Sequence, residues 1–300
     1  NRMHHEATLA GHRPASRWTS TTLRGETDHM EELTRRTFVA GAVGTAAVIG
    51  MPGTAGGASK APPIIDHPFT LGIASGDPLA HGVVLWTRLA PRPTETGGGM
   101  APEDYRVEFE MATDPGMKHV IRRGRRRARP EHGHSVHVDV RGLQPDRDYW
   151  YRFRVDGHLS EVGRTRTTPA HHAHPKELTL GLVSCQRWSS GWYTAYEDLV
   201  SHAPDLVVHV GDYIYESGGT GVRPDPLPES ITLDEYRNRY GLYKSDEHLR
   251  AAHANSPWLF TWDDHEVENN HAGLVPEIGS ATPDPAAFEA RRAAAYKAYW

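Results

Sequence analysis

Three short polar groups in this sequence each follow an apolar run. Ser184-Cys185-Gln186 follows the run 178–183. Gly211-Asp212-Tyr213-Ile214-Tyr215 follows 205–210. Asp263-Asp264-His265-Glu266, with Asn269-Asn270 just beyond, follows 258–262. Together they offer carboxylates, an imidazole, a thiol and a phenol. Carboxylate oxygens suit hard cations, while imidazole and thiolate suit borderline transition ions. Two or more such ions held together polarise a phosphoryl group and make hydroxide from water near neutral pH. Taken singly, each group also has an ordinary structural reading. A lone cysteine is usually a small buried hydrophobe, Gly211-Asp212 could be a turn, and Tyr215 could be packing. Two of the four ionisable residues 263–266 read as caps or as groups that orient the ligands. Falling after consecutive apolar runs, the three groups reinforce one another.

Other chemistries are excluded by their missing motifs. There is no Gly-x-Ser-x-Gly elbow for a hydrolase serine, no Gly-x-x-x-x-Gly-Lys phosphate loop and no His-Glu-x-x-His zinc helix. A cysteine nucleophile at Cys185 with a histidine partner stays open.

The elements that must position these groups follow from periodicity. The apolar run at 178–183 reads as a buried strand covered on both faces, 205–210 as a second buried strand and 258–262 as a third strand. Helical spacing lies between and after them, at 192–200, 233–254 and 285–300. Within 233–254, Glu235, Arg237 and Arg239 are placed on the polar side. Strand–helix–strand order implies a parallel sheet with right-handed crossovers, whose ligands gather beyond the carboxyl ends of the strands. The region 67–168 has a different rhythm. Short strands at 83–89, 105–111, 135–140 and 149–155 alternate with turns, one of them Asp156-Gly157, and read as a small β-sandwich. Ser75-Gly76-Asp77-Pro78 reads as a turn. The run Arg122-Arg123-Gly124-Arg125-Arg126-Arg127 reads as a solvated strand edge. Linkers are expected at 59–66 and 170–176.

Composition bounds the class. Three hundred residues are enough for about two domains. Gly (29) and Pro (22) are rich enough to argue for a turn-rich chain and against a helical bundle. A net charge of -5 argues against a nucleic-acid-binding module. Cys185 is the one cysteine, so no internal disulfide forms. Residues 1–29 read as a disordered leader or upstream read-through. Residues 30–58 read as an export signal: Arg35-Arg36, then Phe38, a 38–51 apolar stretch and the small residues Ala55, Gly56, Gly57 and Ala58. The stretch is too short for a stable membrane span, and the paired arginines are of the twin-arginine type. The chain is therefore expected to meet the twin-arginine export machinery and to be secreted or held at the cell surface.

With these residues in place, the chain resembles the PhoD-like alkaline phosphatases over about 67–300. The resemblance is carried by Phe69 through Pro78, Val84-Leu85-Trp86-Thr87-Arg88 and Val162 through Thr167. It is also carried by Ser184-Cys185-Gln186, His209 through Glu216, Tyr240 through Asp246, and Thr261 through Asn270. It implies an α/β plus all-β fold: a fibronectin-like β-sandwich at 67–168, then part of an α/β metallophosphoesterase sandwich at 176–300. It implies one ferric ion (Fe3+) and calcium ions (Ca2+) as cofactors. Cys185 and Tyr215 would bind iron, and Asp212 would bridge iron and calcium. Asp264 and Asn269 would be further metal ligands. His265 would face the phosphate or protonate the leaving oxygen, or else orient a ligand. Substrates would be phosphate monoesters and diesters, among them phospholipids or teichoic-acid-like polymers, attacked by metal-activated hydroxide. Members of that family run well past the position of Trp300 and carry further His and Asp ligands there. The resemblance thus implies a site incomplete within these residues, apolar sheet surface left exposed, and weak folding of 170–300 alone. The competing expectation is a cell-surface binding module whose phosphatase part is degenerate and inactive.

Overall fold

Alternating apolar and polar residues build the first part of the fold, and continuous apolar runs build the second. The computed structural model describes residues 61–300; the expected leader and export signal lie outside the described residues. In chain order the first strands are β1 (Ile73–Leu79), β2 (Gly82–Arg88), β3 (Tyr105–Ala112), β4 (Val120–Ala128), β5 (Ser135–Arg141), β6 (Asp148–Val155), β7 (His158–Leu159) and β8 (Gly163–Arg166). There follow β9 (Leu180–Val183), α1 (Ala195–Ser201), β10 (Leu206–His209), α2 (Leu233–Lys244), α3 (Glu247–Asn255), β11 (Pro257–Phe260) and α4 (Pro285–Tyr299).

Two sheets result. One has the order β4-β3-β6-β7, with β8 also paired to β6. The other has six strands in the order β5-β2-β1-β11-β10-β9. Its β5-β2-β1 part is antiparallel and its β1-β11-β10-β9 part is parallel. Period-two side chains from β3, β5 and β6 point into one core, where Val107, Met111, Val138, Tyr151 and Phe153 are all but inaccessible. A second, aromatic core collects Tyr196, Tyr213, Tyr236, Tyr243, Trp258 and Phe288. Between them runs a seam: Ser75 and Gly76 of β1 pair in parallel with Pro257 and Trp258 of β11. Gly76 permits this, since a Cβ there would lie 2.8 Å from the Trp258 carbonyl oxygen. The six-stranded sheet therefore takes strands from both sides of the 170–176 linker.

Several expectations are corrected. Residues 75–78 are not a free turn but the kinked end of β1, with Asp77 at φ 46° and a register shift between Gly76 and Leu79. The 233–254 helix is two helices, because Asp246 caps α3 by accepting the N–H groups of His248 and Leu249 at 3.0 Å each. Arg239 is not on a polar face; it is fully buried and paired with Asp225. The run 178–183 is not covered on both faces. In β9, Leu180 and Leu182 are exposed, and by register they share a face with Val208 and Leu259. The basic run forms β4, the edge strand of its sheet, with Arg123, Arg125 and Arg127 paired to Glu110, Glu108 and Asp104. Among the described residues no helix is long and apolar enough to cross a membrane.

Candidate metal centre

Because β9, β10 and β11 run parallel, the loops that follow them emerge at one edge of the sheet. These loops are the three polar groups of the sequence. They are stitched together through the backbone: Cys185 N–H donates to Gly211 O at 3.2 Å, Gln186 N–H to Asp212 O at 3.1 Å, and Thr261 N–H to His209 O at 3.0 Å. Gly211 sits at φ 107°, and a Cβ there would lie 2.5 Å from the Asp263 Cβ. Only glycine lets the second and third loops approach so closely. Cys185 and Asp212 both take the left-handed backbone region, at φ 53° and 55°. Such strain persists only where the surroundings hold it.

Glu266 is the main holder. It is 1% exposed. One carboxylate oxygen accepts the Tyr213 N–H at 2.6 Å; the other accepts those of Asp212 at 3.1 Å and Asp263 at 2.6 Å. Burial pushes its carboxyl up to about 7, against the pull of these three donors.

Asp212, Asp264 and His265 each offer a ligand atom within 4.8 Å of the others. Asp212 Oδ2 accepts the Tyr215 hydroxyl at 3.2 Å, whereas Asp212 Oδ1 is buried without a hydrogen-bond partner. The Tyr215 ring lies 4.0 Å from that of His265. Burial, reinforced by the Asp212 carboxylate and then by Cys185, pushes the Tyr215 hydroxyl above its ordinary value. Asp264 accepts the His265 N–H at 2.9 Å on one oxygen and the Asn270 N–H at 2.6 Å on the other. His265 Nδ1 donates to Glu216 Oε2 at 2.7 Å. Burial disfavours a charged ring there, but the Glu216 carboxylate, helped by Asp212 and Asp264, outweighs it and raises the His265 pKa.

The fold thus brings two of the expected ligands, Asp212 and Asp264, into one cluster with His265, the expected catalytic group, and Tyr215 is bonded to its edge. Cys185 is exposed on the adjoining loop, close enough to act on Tyr215. The Asn269 side-chain amide donates to Glu277, and its backbone N–H donates to Glu216 at 3.0 Å. Glu266 caps its own turn at Asp263, as its spacing allows, but its hold on Asp212 and Tyr213, and that of Glu216 on His265 and Asn269, span about fifty residues, a relation no spacing rule exposes.

The donors fit a metal. A buried carboxylate oxygen with no partner is costly, and Asp212, which carries one, shares its cluster with a second carboxylate, Asp264. A cation between them satisfies both. Oxygen donors with a phenol and a thiol alongside match a hard ion beside a borderline one.

Fold and cluster together define an α/β protein with a candidate metal centre at the carboxyl edge of its parallel strands. Family models narrow this: "PhoD-like phosphatase, N-terminal domain" matches residues 56–169 and "PhoD-like phosphatase" matches 180–300. The chain belongs to the PhoD-like phosphatase family. It is similar to alkaline phosphatase D of Bacillus subtilis (strain 168), with 49% identity over 249 residues, covering 81% of this chain and 42% of that protein. It is similar to a solved structure of PhoD at 49% identity and a TM-score of 0.76, covering 80% of this chain and 46% of that one. The chain spans less than half the length of these relatives.

Proposed function

We propose that this chain takes part in the hydrolysis of phosphate monoesters and diesters at a centre that holds ferric iron and calcium. One observation supports this above the rest: the Asp212–Asp264–His265 cluster, in which Asp212 keeps one carboxylate oxygen buried without a partner. Asp212 would lie between the two kinds of ion. Tyr215 and Cys185 would serve iron, whose high charge favours the anionic phenolate and thiolate. Asp264 would serve calcium, and Asn269 would join it by giving up its bond to Glu277. Bound there, the ions would supply charge to the phosphoryl oxygens and an activated water.

The chain's own residues do the rest. Glu266 fixes the loop backbone so that Asp212 and Asp264 converge. Glu216 fixes the His265 ring through Nδ1 and favours its protonated form, leaving Nε2 to hold a proton for the departing oxygen. A chromogenic monoester and a diester, offered to the purified chain with ferric and calcium salts, test this. The expected result is turnover that falls about 10²-fold or more in His265→Gln, with the larger loss for esters of poor leaving groups. Equal loss for good and poor leaving groups would remove the acid role of His265, and absence of turnover would remove the proposal. The proposal extends to location: export by the twin-arginine route, followed by release or retention at the surface. An Arg35→Lys, Arg36→Lys precursor that still left the cytoplasm would overturn that part.

A further inference from the structure

Beside the metal cluster lies a cleft of about 610 Å³ that the reading above does not use. One wall is the turn that continues the first loop, Arg187 through Ser190. The other is the glycine-rich strap 218–222. The two walls are in backbone contact: Val222 N–H donates to Ser189 O at 2.9 Å. A Cβ at Gly221 would lie 2.1 Å from that carbonyl oxygen, and one at Gly219 would lie 3.0 Å from Ser189 Oγ and 3.3 Å from Arg187 Nη2. The strap is built of glycine where it must pass this close.

The strap is also pinned. Arg223 donates to Asp246 at 2.6 Å, both side chains 3% exposed, and to Trp188 O at 2.8 Å. Its guanidinium lies 3.5 Å over the Trp188 ring. Asp225, just beyond, pairs with the buried Arg239. Fixed walls make a preorganised cleft.

Its lining is mixed: Arg187 and the side chains of Ser189, Ser190 and Thr220 are polar, while Val222 and the strap glycines are not. Arg187 stands apart from the arginines around it. Arg223, Arg239 and Arg291 each pair with a buried carboxylate. Arg187, half-buried, has no carboxylate partner among the described residues. Its guanidinium lies 5.3 Å from the centre of the Tyr215 ring, and the Tyr215 hydroxyl bonds Asp212. An anion held by Arg187 would therefore sit one group away from the metal cluster.

We propose that this cleft binds a second phosphate of the substrate, next to the phosphate under attack, with Arg187 as its ligand. The substrates so selected carry a second phosphate, as a diphosphate does. Esters with a single phosphate gain nothing there. Arginine is apt because its planar fork meets two phosphate oxygens at once. This rests on the phosphoesterase reading for its link to catalysis, but not for the binding itself.

Two measurements on the full chain test it. In the metal-free chain, phenylglyoxal labels exposed arginines, and peptide mapping reads Arg187 alone. Methylenediphosphonate should slow that labelling. An unchanged rate would mean that the cleft takes no anion, and the inference fails whatever the metals do. In the chain loaded with calcium and ferric iron, calorimetry compares methylenediphosphonate with orthophosphate. Arg187→Gln should raise the Kd of the diphosphonate about tenfold or more and leave that of orthophosphate unchanged. Arg187→Lys, which keeps charge but loses the fork, should fall between. Equal loss for both ligands would make Arg187 part of the metal site rather than of a second subsite. Protection of Arg187 in a chain that hydrolyses no ester would leave the cleft standing and remove the catalytic reading.

Discussion

The carboxylate of Glu266 accepts the backbone N–H of Asp212 at 3.1 Å, from a loop fifty-four residues away in sequence. The same carboxylate holds Tyr213 and Asp263, so one side chain sets the spacing between the two loops that supply the metal cluster. Glu266→Gln should keep the shape but present an N–H to some of these donors. Hydrogen bonds to a charged group contribute about 1.5–3 kcal/mol, so the melting temperature should fall. Metal affinity should fall about 10- to 100-fold, as for other groups that orient ligands. Denaturation and metal titration of the variant check both; unchanged affinity would relieve Glu266 of its positioning role.

Gly211 makes the same point through the backbone. Gly211→Ala puts a Cβ into the Asp263 side chain and forces a rare φ on a residue that has one. A loss of about 1–3 kcal/mol in stability is expected, with metal binding weakened further than the melt implies. A variant as stable as the parent would show that the two loops are not in the contact described.

Lys244 predicts a pH dependence. It is buried with its Nζ 4.5 Å from the centre of the Trp86 ring and 3.4 Å from His253 Nε2, and it has no carboxylate partner among the described residues. Burial lowers its pKa from an ordinary 10.5 to about 7. Between these values the unfolded chain holds a proton that the folded chain has shed. Stability must therefore rise with pH from about 7 toward 10 through this group. Below pH 7 the folded state must bury the charge and bear its cost. Lys244→Met should flatten the rise in melting temperature over that range. A variant with the parent's slope would contradict the assignment.

Leu180 and Leu182 of β9 form an apolar face with Val208 and Leu259 that nothing in the described residues covers. Leu182 is 72% exposed. Exposed apolar sheet of this kind associates. The purified chain should sediment as concentration-dependent oligomers, and Leu182→Lys should reduce them. A monodisperse monomer at all concentrations would contradict this.

Much of this was legible in the sequence because local periodicity decides it. The alternation in 105–111, 135–140 and 149–155 gave β3, β5 and β6 their inward faces. The apolar runs ending at Val183, Val210 and Trp262 put Cys185, Asp212 and Asp264 on neighbouring loops. What was missed depends on distant contacts. β1 reads as a turn because Gly76 and Asp77 are turn residues, yet its pairing with Trp258 overrides them. The break before α3 rests on one cap, Asp246, inside an otherwise helical pattern. Arg239 looks solvent-facing by spacing and is buried because Asp225, fourteen residues earlier, returns to meet it. Glu216, Glu266 and Arg187 acquire their roles only when three loops meet.

The central claim is that Asp212 and Asp264 hold metal beside His265. The most direct test is metal content by mass spectrometry after the chain is refilled with ferric iron and calcium and desalted, for the parent and for Asp212→Asn. The account predicts retained metal in the parent and loss of it in the variant, because the amide removes the charge of the unpartnered oxygen while keeping its volume. A parent that retains no metal, or a variant that retains as much as the parent, would contradict it.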